Sequence, residues 1–212
     1  MKSAIRPQIY VLAGVNGAGK SSIGGAIFRA SGADYFNPDE VARELIAANP
    51  ALTPTQANSL AWQQGKFLLE QAIAQRLYYA FETTLGANTI PRLLQVAAEK
   101  GIKVHVWYAG LSSPDLHIAR VQARVSQGGH NIPEDIIRRR YEHSRLNLIE
   151  LLPHLTALRV YDNSVDADPS IGKAPKPKLV LHIEQRKILN PADLAKTPDW
   201  AKPIIAAALK LR

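Results

Sequence analysis

Residues 14–21 form a pattern that binds phosphate. They read Gly-Val-Asn-Gly-Ala-Gly-Lys-Ser, which completes the P-loop pattern G-x-x-x-x-G-K-[ST]. Glycines in such a loop adopt positive φ, so that consecutive backbone N–H groups can surround a phosphate chain. Lys20 would then reach the β- and γ-phosphates of a nucleotide, and the Ser21 hydroxyl would hold Mg²⁺. The residues that we expect to contact the nucleotide are Gly14, Asn16, Gly17, Ala18, Gly19, Lys20, Ser21, Ser22 and, from a later helix, Arg120.

Two carboxylates follow predicted strands and could act on a phosphoryl acceptor. Asp39 could accept the proton of an attacking hydroxyl, or it could serve only in the first turn of a helix beside Pro38. Glu82 could hold a Mg²⁺-bound water or a substrate hydroxyl, or it could be a solvated residue at a strand end. Thr83 and Thr84 either bind substrate or close the turn, and the sequence leaves both readings open.

A helix–Gly-Gly–helix segment at about 113–151 is rich in arginine and is predicted to form a lid. Its arginines could close over the γ-phosphoryl group and neutralise charge that develops during transfer, or they could form a solvated basic face. His130 follows the glycine pair and could bind a phosphate or have no role. The other histidines have no metal-ligand spacing. The arginines are Arg120, Arg124, Arg138, Arg139, Arg140 and Arg145.

Strands and helices alternate along the chain, which predicts a mostly parallel five-stranded sheet with helices on both faces. Ligands of such sheets bind outside the carboxyl ends of the strands, which is where Asp39 and Glu82 are expected. In the helix over about 54–77, near-helical spacing predicts that Leu60, Phe67, Leu68 and Ile73 cover the sheet. The predicted strands are 9–13, 33–36, 78–81, 102–108 and 158–162, and the main helices are 22–30, 38–48, 54–77, 91–100, 114–127 and 133–151.

The C-terminal part is predicted to complete the same unit. We expect a P-loop domain over 1–165, a Lys/Pro-rich connector over 166–177, and a β-hairpin or edge strand and a helix over 178–212, packed on that domain.

Composition limits the classes of protein to which this chain can belong. The 212 residues include no cysteine, which excludes disulfides, thiolate metal sites and cysteine nucleophiles. No apolar run approaches the length of a membrane span, and little chain precedes the first strand, so we expect a cytoplasmic protein without membrane contact. The net charge of +8 keeps a nucleic-acid or nucleoside acceptor open as an alternative.

Four segments together resemble the zeta-toxin family of P-loop kinases, and more closely its small chromosomal branch. They are AGVNGAGKSS (13–22), FNPDE (36–40), FETTL (81–85) and QGGHNIP (127–133), the last continuing through IRRRY (137–141). The resemblance covers about residues 9–163. It implies ATP- and Mg²⁺-dependent phosphorylation of a sugar-nucleotide hydroxyl, with UDP-N-acetylglucosamine as the substrate class. It also implies an antitoxin protein as a possible partner.

The resemblance assigns roles to individual residues. Asp39 matches the catalytic base, Lys20 and Ser21 match the phosphate and Mg²⁺ residues, and Glu82 with Thr83 matches a strand end that contacts substrate. Arg124 and one of the arginines at 138–140 match lid arginines; we expect Arg139 and Arg140 to act with Arg124 in catalysis, and Thr84 and His130 to add to the substrate site.

Two other functions remain open at this point. One is phosphorylation of a nucleoside or nucleic-acid hydroxyl, which the basic charge favours. The other is a non-catalytic ATP-binding switch, in which Asp39 would have only a structural role. A GTPase-type switch is not favoured, because the chain lacks an Asn/Thr-Lys-x-Asp guanine-reading motif.

Overall fold

A central six-stranded sheet organises the part of the chain that the structure, a computed structural model, describes: residues 7–25, 35–129, 131–165, 177–189 and 194–211. The strand order is β2-β1-β3-β4-β5-β6. Strands β1 to β4 are parallel, and β5 and β6 are antiparallel, so the predicted mostly parallel α/β fold is confirmed. The strands are β1 Gln8–Ala13, β2 Tyr79–Thr83, β3 Lys103–Gly110, β4 Ala157–Asp162, β5 Lys178–Glu184 and β6 Lys187–Ile188.

The sheet differs from the predicted one at both edges. Of the strand expected at 33–36, Phe36 forms a single bridge to Phe81, while 33–34 lie outside the described residues. At the other edge β5 and β6 form the predicted hairpin, so the sheet has six strands instead of five. The hairpin turns through Gln185 and Arg186, whose φ values of 47° and 63° suit a tight turn between antiparallel strands.

Six α-helices are present among the described residues. Three of them begin with proline after a side-chain cap, and Asn37, Thr53 and Ser113 are the capping residues. Of the helix predicted at 22–30, the structure describes a π-helical turn, Ser21–Gly25, and 26–30 lie outside the described residues. The helices are α1 Pro38–Ala48, α2 Pro54–Gln75, α3 Thr89–Glu99, α4 Pro114–Val125, α5 Glu134–Leu151 and α6 Lys202–Ala208, with short 3-10 turns at Leu152–His154 and Asp199–Ala201.

One large apolar cluster lies between a face of the sheet and helices α2, α3, α5 and α6. It includes alternate residues of β1, namely Ile9, Val11 and Ala13, as expected for a strand that points successive side chains to opposite faces. The C-terminal helix contributes Ile204 and Ile205 to this cluster, both fully buried. Of the predicted connector, 166–176 lie outside the described residues.

The predicted buried face of α2 is correct in part. Leu60 and Phe67 are 43% and 56% exposed, so the expectation that they cover the sheet is wrong, whereas Ile73 is buried in the main apolar cluster as predicted. The buried positions of α2 include Ala57, Ala61 and Gly65, because small residues let this helix lie close to its neighbours. No α-helix in the described ranges is long and apolar enough to cross a bilayer.

Candidate active site

The P-loop leaves the carboxyl end of β1 and is closely surrounded by other backbone segments. Gly17 and Gly19 have φ values of +81° and +76°, which residues with a Cβ rarely adopt. A Cβ at Gly17 would lie 2.7 Å from the carbonyl oxygen of His117, and one at Gly19 would collide with the amide of Asn163. Glycine is therefore required at both positions, and the loop has the shape of a phosphate cradle.

Lys20 and Glu82 form a buried ion pair next to this cradle. Lys20 Nζ donates to the carbonyl of Gly14 at 2.7 Å and lies 3.4 Å from Glu82 Oε1. Burial raises the pKa of Glu82, while the charge of Lys20 opposes that shift. Glu82 Oε2 is buried and has no hydrogen-bond partner among the described residues. This carboxylate therefore retains an acceptor position for a water molecule or a hydroxyl.

Ser21 is exposed at the first position of the π-helical turn, directly after Lys20. Its hydroxyl follows the phosphate cradle in the chain, so the residues present fit a nucleotide with Mg²⁺. The side chain of Ser22 and the whole of His130 lie outside the described residues. No cluster of three metal-ligating side chains occurs in the described ranges.

Asp39 lies in the first turn of α1, where the cap fixes its backbone. Asn37 Oδ1 accepts a hydrogen bond from the Asp39 N–H at 3.0 Å. The Asp39 carboxylate is about half exposed, and Arg124 Nη1 lies 3.7 Å from its Oδ2. Asp39 therefore lies at the N-terminal end of a helix, where a negative charge is favourable, and it has access to solvent.

A cavity of about 470 Å³ connects these elements at the carboxyl edge of the sheet. Its size falls within the range of small-molecule sites, which is about 300–1,000 Å³. Asp39 and Glu82, which the sequence predicts at the ends of separate strands, both line it. The predicted site residues in its wall are Asn16, Asp39, Glu82, Thr83, Thr84, Arg139 and Arg140.

The arginines of the predicted lid have different environments. Arg140 Nη1 donates to Asn16 Oδ1 at 2.8 Å, and its stem packs against Gly86, where a Cβ would lie 2.6 Å from Arg140 Cγ. Burial lowers the pKa of Arg140, yet guanidinium stays protonated in proteins, so a cation is held beside the P-loop. Arg138 instead pairs with Asp115 at 2.6 Å on the exposed surface.

The two remaining arginines of the segment lie outside the cavity wall. Arg120 is next to the P-loop, since its Cβ lies 3.5 Å from the position that a Cβ would take at Gly17. Arg145 stacks over the ring of Tyr141, with its guanidinium carbon 4.2 Å from the ring centre.

His117, on α4, holds the P-loop, a role that the sequence analysis did not assign to it. It is 1% exposed, and its Nδ1 is 2.8 Å from the carbonyl oxygen of Asn16. Because a carbonyl can only accept, Nδ1 carries the proton. Burial lowers the pKa of His117 to about 4, so the ring is neutral near pH 7. The hydrophobic residue Val15 also packs against α4 residues, including Ile118 and Val121.

Asn163 supports the P-loop from the end of β4. Its Nδ2 donates to the carbonyl of Ala18 at 2.9 Å, and its backbone N–H donates to Gly110 at 3.0 Å. The sequence signal for Asn163 was its position, because a polar residue directly after a strand lies at the carboxyl edge of the sheet, where ligands bind.

Helix α5 holds the turn that follows β2. Ser144 Oγ donates to the carbonyl of Thr84 at 2.6 Å, and Asn147 Nδ2 donates to the carbonyl of Leu85 at 2.6 Å. Leu85 needs this support, because it has a φ of +52° and is almost fully buried.

The sequence left open whether Thr83 and Thr84 bind substrate or close the turn. In the structure both side chains close the turn. Thr83 Oγ1 accepts from the Leu85 N–H at 3.2 Å, and Thr84 Oγ1 accepts from the Gly86 N–H at 3.3 Å. Each hydroxyl still has a proton to donate, and both residues line the cavity.

Three of the α2 residues that line the cavity carry polar or aromatic side chains that the sequence analysis missed. Asn58, Trp62 and Lys66 are four residues apart and therefore share a helix face that lines the cavity. A polar and aromatic stripe at this spacing was the signal. The prediction instead used the apolar residues of α2, of which Leu60 and Phe67 are exposed and Ile73 is buried.

Comparisons with known proteins agree with this architecture. The family model described as Zeta toxin matches residues 1–167. An uncharacterised protein of Haemophilus influenzae is 34% identical over 148 residues, which are 65% of this chain and 99% of that protein.

Solved structures show the same fold at low sequence identity. A chain of the AvrRxo1-ORF1:-ORF2 complex with ATP has a TM-score of 0.63 and 15% identity, and the match covers 96% of this chain and 64% of that chain. A chain of the PezAT chromosomal toxin–antitoxin system of Streptococcus pneumoniae has a TM-score of 0.57 and 16% identity, and the match covers 99% and 86%. This chain thus spans less than two thirds of the first of these proteins.

Proposed function

This chain belongs to the zeta-toxin family of P-loop kinases, and we propose that it transfers the γ-phosphoryl group of ATP to a hydroxyl of a sugar nucleotide such as UDP-N-acetylglucosamine. Family membership supports an ATP-dependent kinase, and the sugar-nucleotide acceptor is the proposal. The observation that carries it is that Asp39 and Glu82 line one cavity, with Glu82 paired to the P-loop residue Lys20.

In the proposed reaction Asp39 is the general base. Its carboxylate takes the proton of the acceptor hydroxyl while the hydroxyl oxygen forms a bond to the γ-phosphorus. The bond between the γ-phosphorus and the β,γ-bridging oxygen breaks, and ADP leaves with that oxygen. Asp39 suits this role because it reaches the cavity, is about half exposed, and lies at a helix start.

The P-loop and the lid supply the electrostatic part. Backbone N–H groups of the loop and Lys20 would hold the phosphates, and Ser21 would hold Mg²⁺, which neutralises phosphate charge when bound. Arg140 is anchored to Asn16 of the same loop, which places a cation close to the phosphate cradle. Arg124 borders the acceptor side through its ion pair with Asp39. Arg139 borders it as part of the cavity wall.

Phosphorus NMR of the purified protein with ATP and Mg²⁺ tests the proposal, with and without UDP-N-acetylglucosamine. We expect a new sugar phosphomonoester signal that depends on the sugar nucleotide. In Asp39→Asn its rate of formation should fall by about 10²- to 10⁴-fold, since a general base contributes a factor of that size. Binding of ATP to the variant should be unchanged.

Asp115→Asn is the matched control. Asp115 follows proline in the first turn of α4, as Asp39 does in α1, but it pairs with Arg138 and lies outside the cavity wall. Its replacement should leave the rate nearly unchanged. Inorganic phosphate as the sole product, regardless of the sugar nucleotide, would reject this acceptor.

Two outcomes would favour the alternatives. Phosphorylation of an oligonucleotide or nucleoside instead, with steep salt dependence for the polymer, would support the reading based on the +8 charge. ATP binding with no transfer, and no effect of Asp39→Asn, would support an ATP-dependent switch controlled by a partner. The PezAT system is a toxin–antitoxin pair, and an antitoxin-type partner is proposed here by analogy.

A further inference from the structure

Trp62 differs from the other two tryptophans of the chain in its surroundings. Trp107 is 9% exposed and stacks with Tyr10 at 5.5 Å, and Trp200 is 4% exposed and donates its Nε1–H to Asp162 at 3.0 Å. Both have structural roles in the folded core. Trp62 is 45% exposed and lines the cavity that contains Asp39. A large aromatic surface left open inside a concave site is typical of ligand recognition.

The position of Trp62 relative to Asp39 is fixed by helix packing. Helix α1 carries Asp39 and helix α2 carries Trp62, and they meet through the buried residues Ala42, Ala57 and Ala61. Ala61 directly precedes Trp62 in the chain. Trp62 and the proposed base Asp39 therefore lie on one packed helix pair. This packing fixes the distance between the two side chains, so a ligand that contacts both is held in a defined position.

Lys66 adds a positive charge one helical turn beyond Trp62 in the same wall. It pairs with Glu70 at 2.8 Å, but both side chains are more than one third exposed, so this pair contributes little. Lys66 can therefore exchange Glu70 for an anionic ligand group at small cost. Arg139 lines the same cavity, so the acceptor side combines a planar aromatic surface with cations.

We propose that Trp62 is the stacking platform for a planar heterocyclic ring of the acceptor, and that Lys66 binds a phosphate that a sugar links to that ring. The acceptor class that fits is a nucleotide-linked hydroxyl compound, since a plain sugar has neither a planar ring nor a phosphate. This inference rests on the proposed function in taking the cavity as the acceptor site.

Tryptophan fluorescence tests the stacking without any catalysis. The probes are uridine, UDP and N-acetylglucosamine, added to the Asp39→Asn protein with its P-loop saturated by ADP and Mg²⁺. Stacking of a base on an indole quenches its emission, so uridine and UDP should give saturable quenching and the plain sugar none. The signal should disappear in Trp62→Phe, which keeps the two buried tryptophans.

Variants then test the contribution of each side chain. Base–aromatic stacking corresponds to about 10- to 100-fold in affinity, so Trp62→Ala should raise the acceptor KM by that factor and leave kcat nearly unchanged. Trp62→Phe should have a smaller effect. Lys66→Gln should weaken binding of UDP but not of uridine. Phe67→Ala is the control, because Phe67 is an exposed aromatic of the same helix that lies outside the cavity wall.

Failure of this inference is distinguishable from failure of the proposed function. Quenching by uridine and UDP in a protein that phosphorylates no sugar nucleotide would keep the nucleotide site and reject the proposed reaction. Normal kinase activity with unchanged KM in Trp62→Ala, or no quenching at millimolar UDP, would reject the role of Trp62.

Discussion

Three consecutive arginines near the start of α5 have distinct contacts, and the contacts predict distinct effects. Arg140→Gln should lower kcat by about 10²-fold or more, since this cation is anchored at the P-loop and positioned cations supply large factors in phosphoryl transfer. Arg139→Gln should chiefly raise the acceptor KM, because Arg139 lines the cavity. Arg138→Gln should change kcat by less than about threefold, because its pair with Asp115 is exposed.

Steady-state kinetics with both substrates varied separates these effects. Arg138→Gln is the internal control, since it removes the same charge from the adjacent position. Equal losses of activity in all three variants would mean that the total positive charge of these arginines determines the effect. Their individual contacts would then have no specific role.

His117 joins helix α4 to the P-loop, and its titration makes the stability of the fold depend on pH. The pKa of His117 falls from 6.5 to about 4 on folding, so between these values the unfolded chain binds more protons than the folded one. Stability is therefore lost as the pH falls through this window. The full effect is on the order of 3 kcal/mol, because one pKa unit corresponds to about 1.4 kcal/mol.

Urea unfolding at a series of pH values from above 6.5 down toward 4 measures this loss. His117→Asn keeps an N–H donor for the Asn16 carbonyl and cannot titrate, so its stability should depend less on pH. His143→Asn, on the exposed side of α5, should retain the full dependence. Some slope remains in His117→Asn, because burial also lowers the pKa of His105. An identical slope in His117→Asn and the unmodified chain would remove His117 as the cause.

Local sequence patterns predicted the elements and residues whose signal is short in range. The P-loop, the helix starts with a cap and proline, and the position of Glu82 at a strand end all depend on a few neighbouring residues. Trp62, His117 and Asn163 could not be assigned in this way. Their partners lie far along the chain, and only the packing of α2, α4 and β4 around the same edge brings them to the site.

The orientation of α2 shows a second limit of pattern reading. Large apolar residues predict a buried face, but Leu60 and Phe67 are exposed, and the buried stripe contains Ala57, Ala61 and Gly65. Close approach between helices favours small side chains, and hydrophobicity alone does not indicate where such an approach occurs.

The C-terminal segment connects distant parts of the molecule through Trp200. The Trp200 ring packs against Gly110, where a Cβ would collide with the ring. The centres of the Trp200 and Tyr108 rings are 6.3 Å apart. Its Nε1–H donates to Asp162 at 3.0 Å, so one side chain joins the ends of β3 and β4 to the segment that leads into α6. Loss of this side chain should weaken the whole fold and should not act on the cavity, whose wall does not include Trp200.

Trp200→Ala should therefore lower the free energy of unfolding by about 3–5 kcal/mol, the usual cost of removing a buried tryptophan. For a chain of this size that loss corresponds to a Tm lower by roughly 10 °C. Calorimetry should show one transition moved as a unit, because α6 shares the main apolar cluster with the sheet. Leu209→Ala, which is 55% exposed just beyond α6, is the control and should change Tm little. The KM values for ATP and acceptor, measured well below the lowered Tm, should match those of the unmodified chain. A separate low-temperature transition would show instead that the C-terminal segment unfolds independently of the rest of the chain.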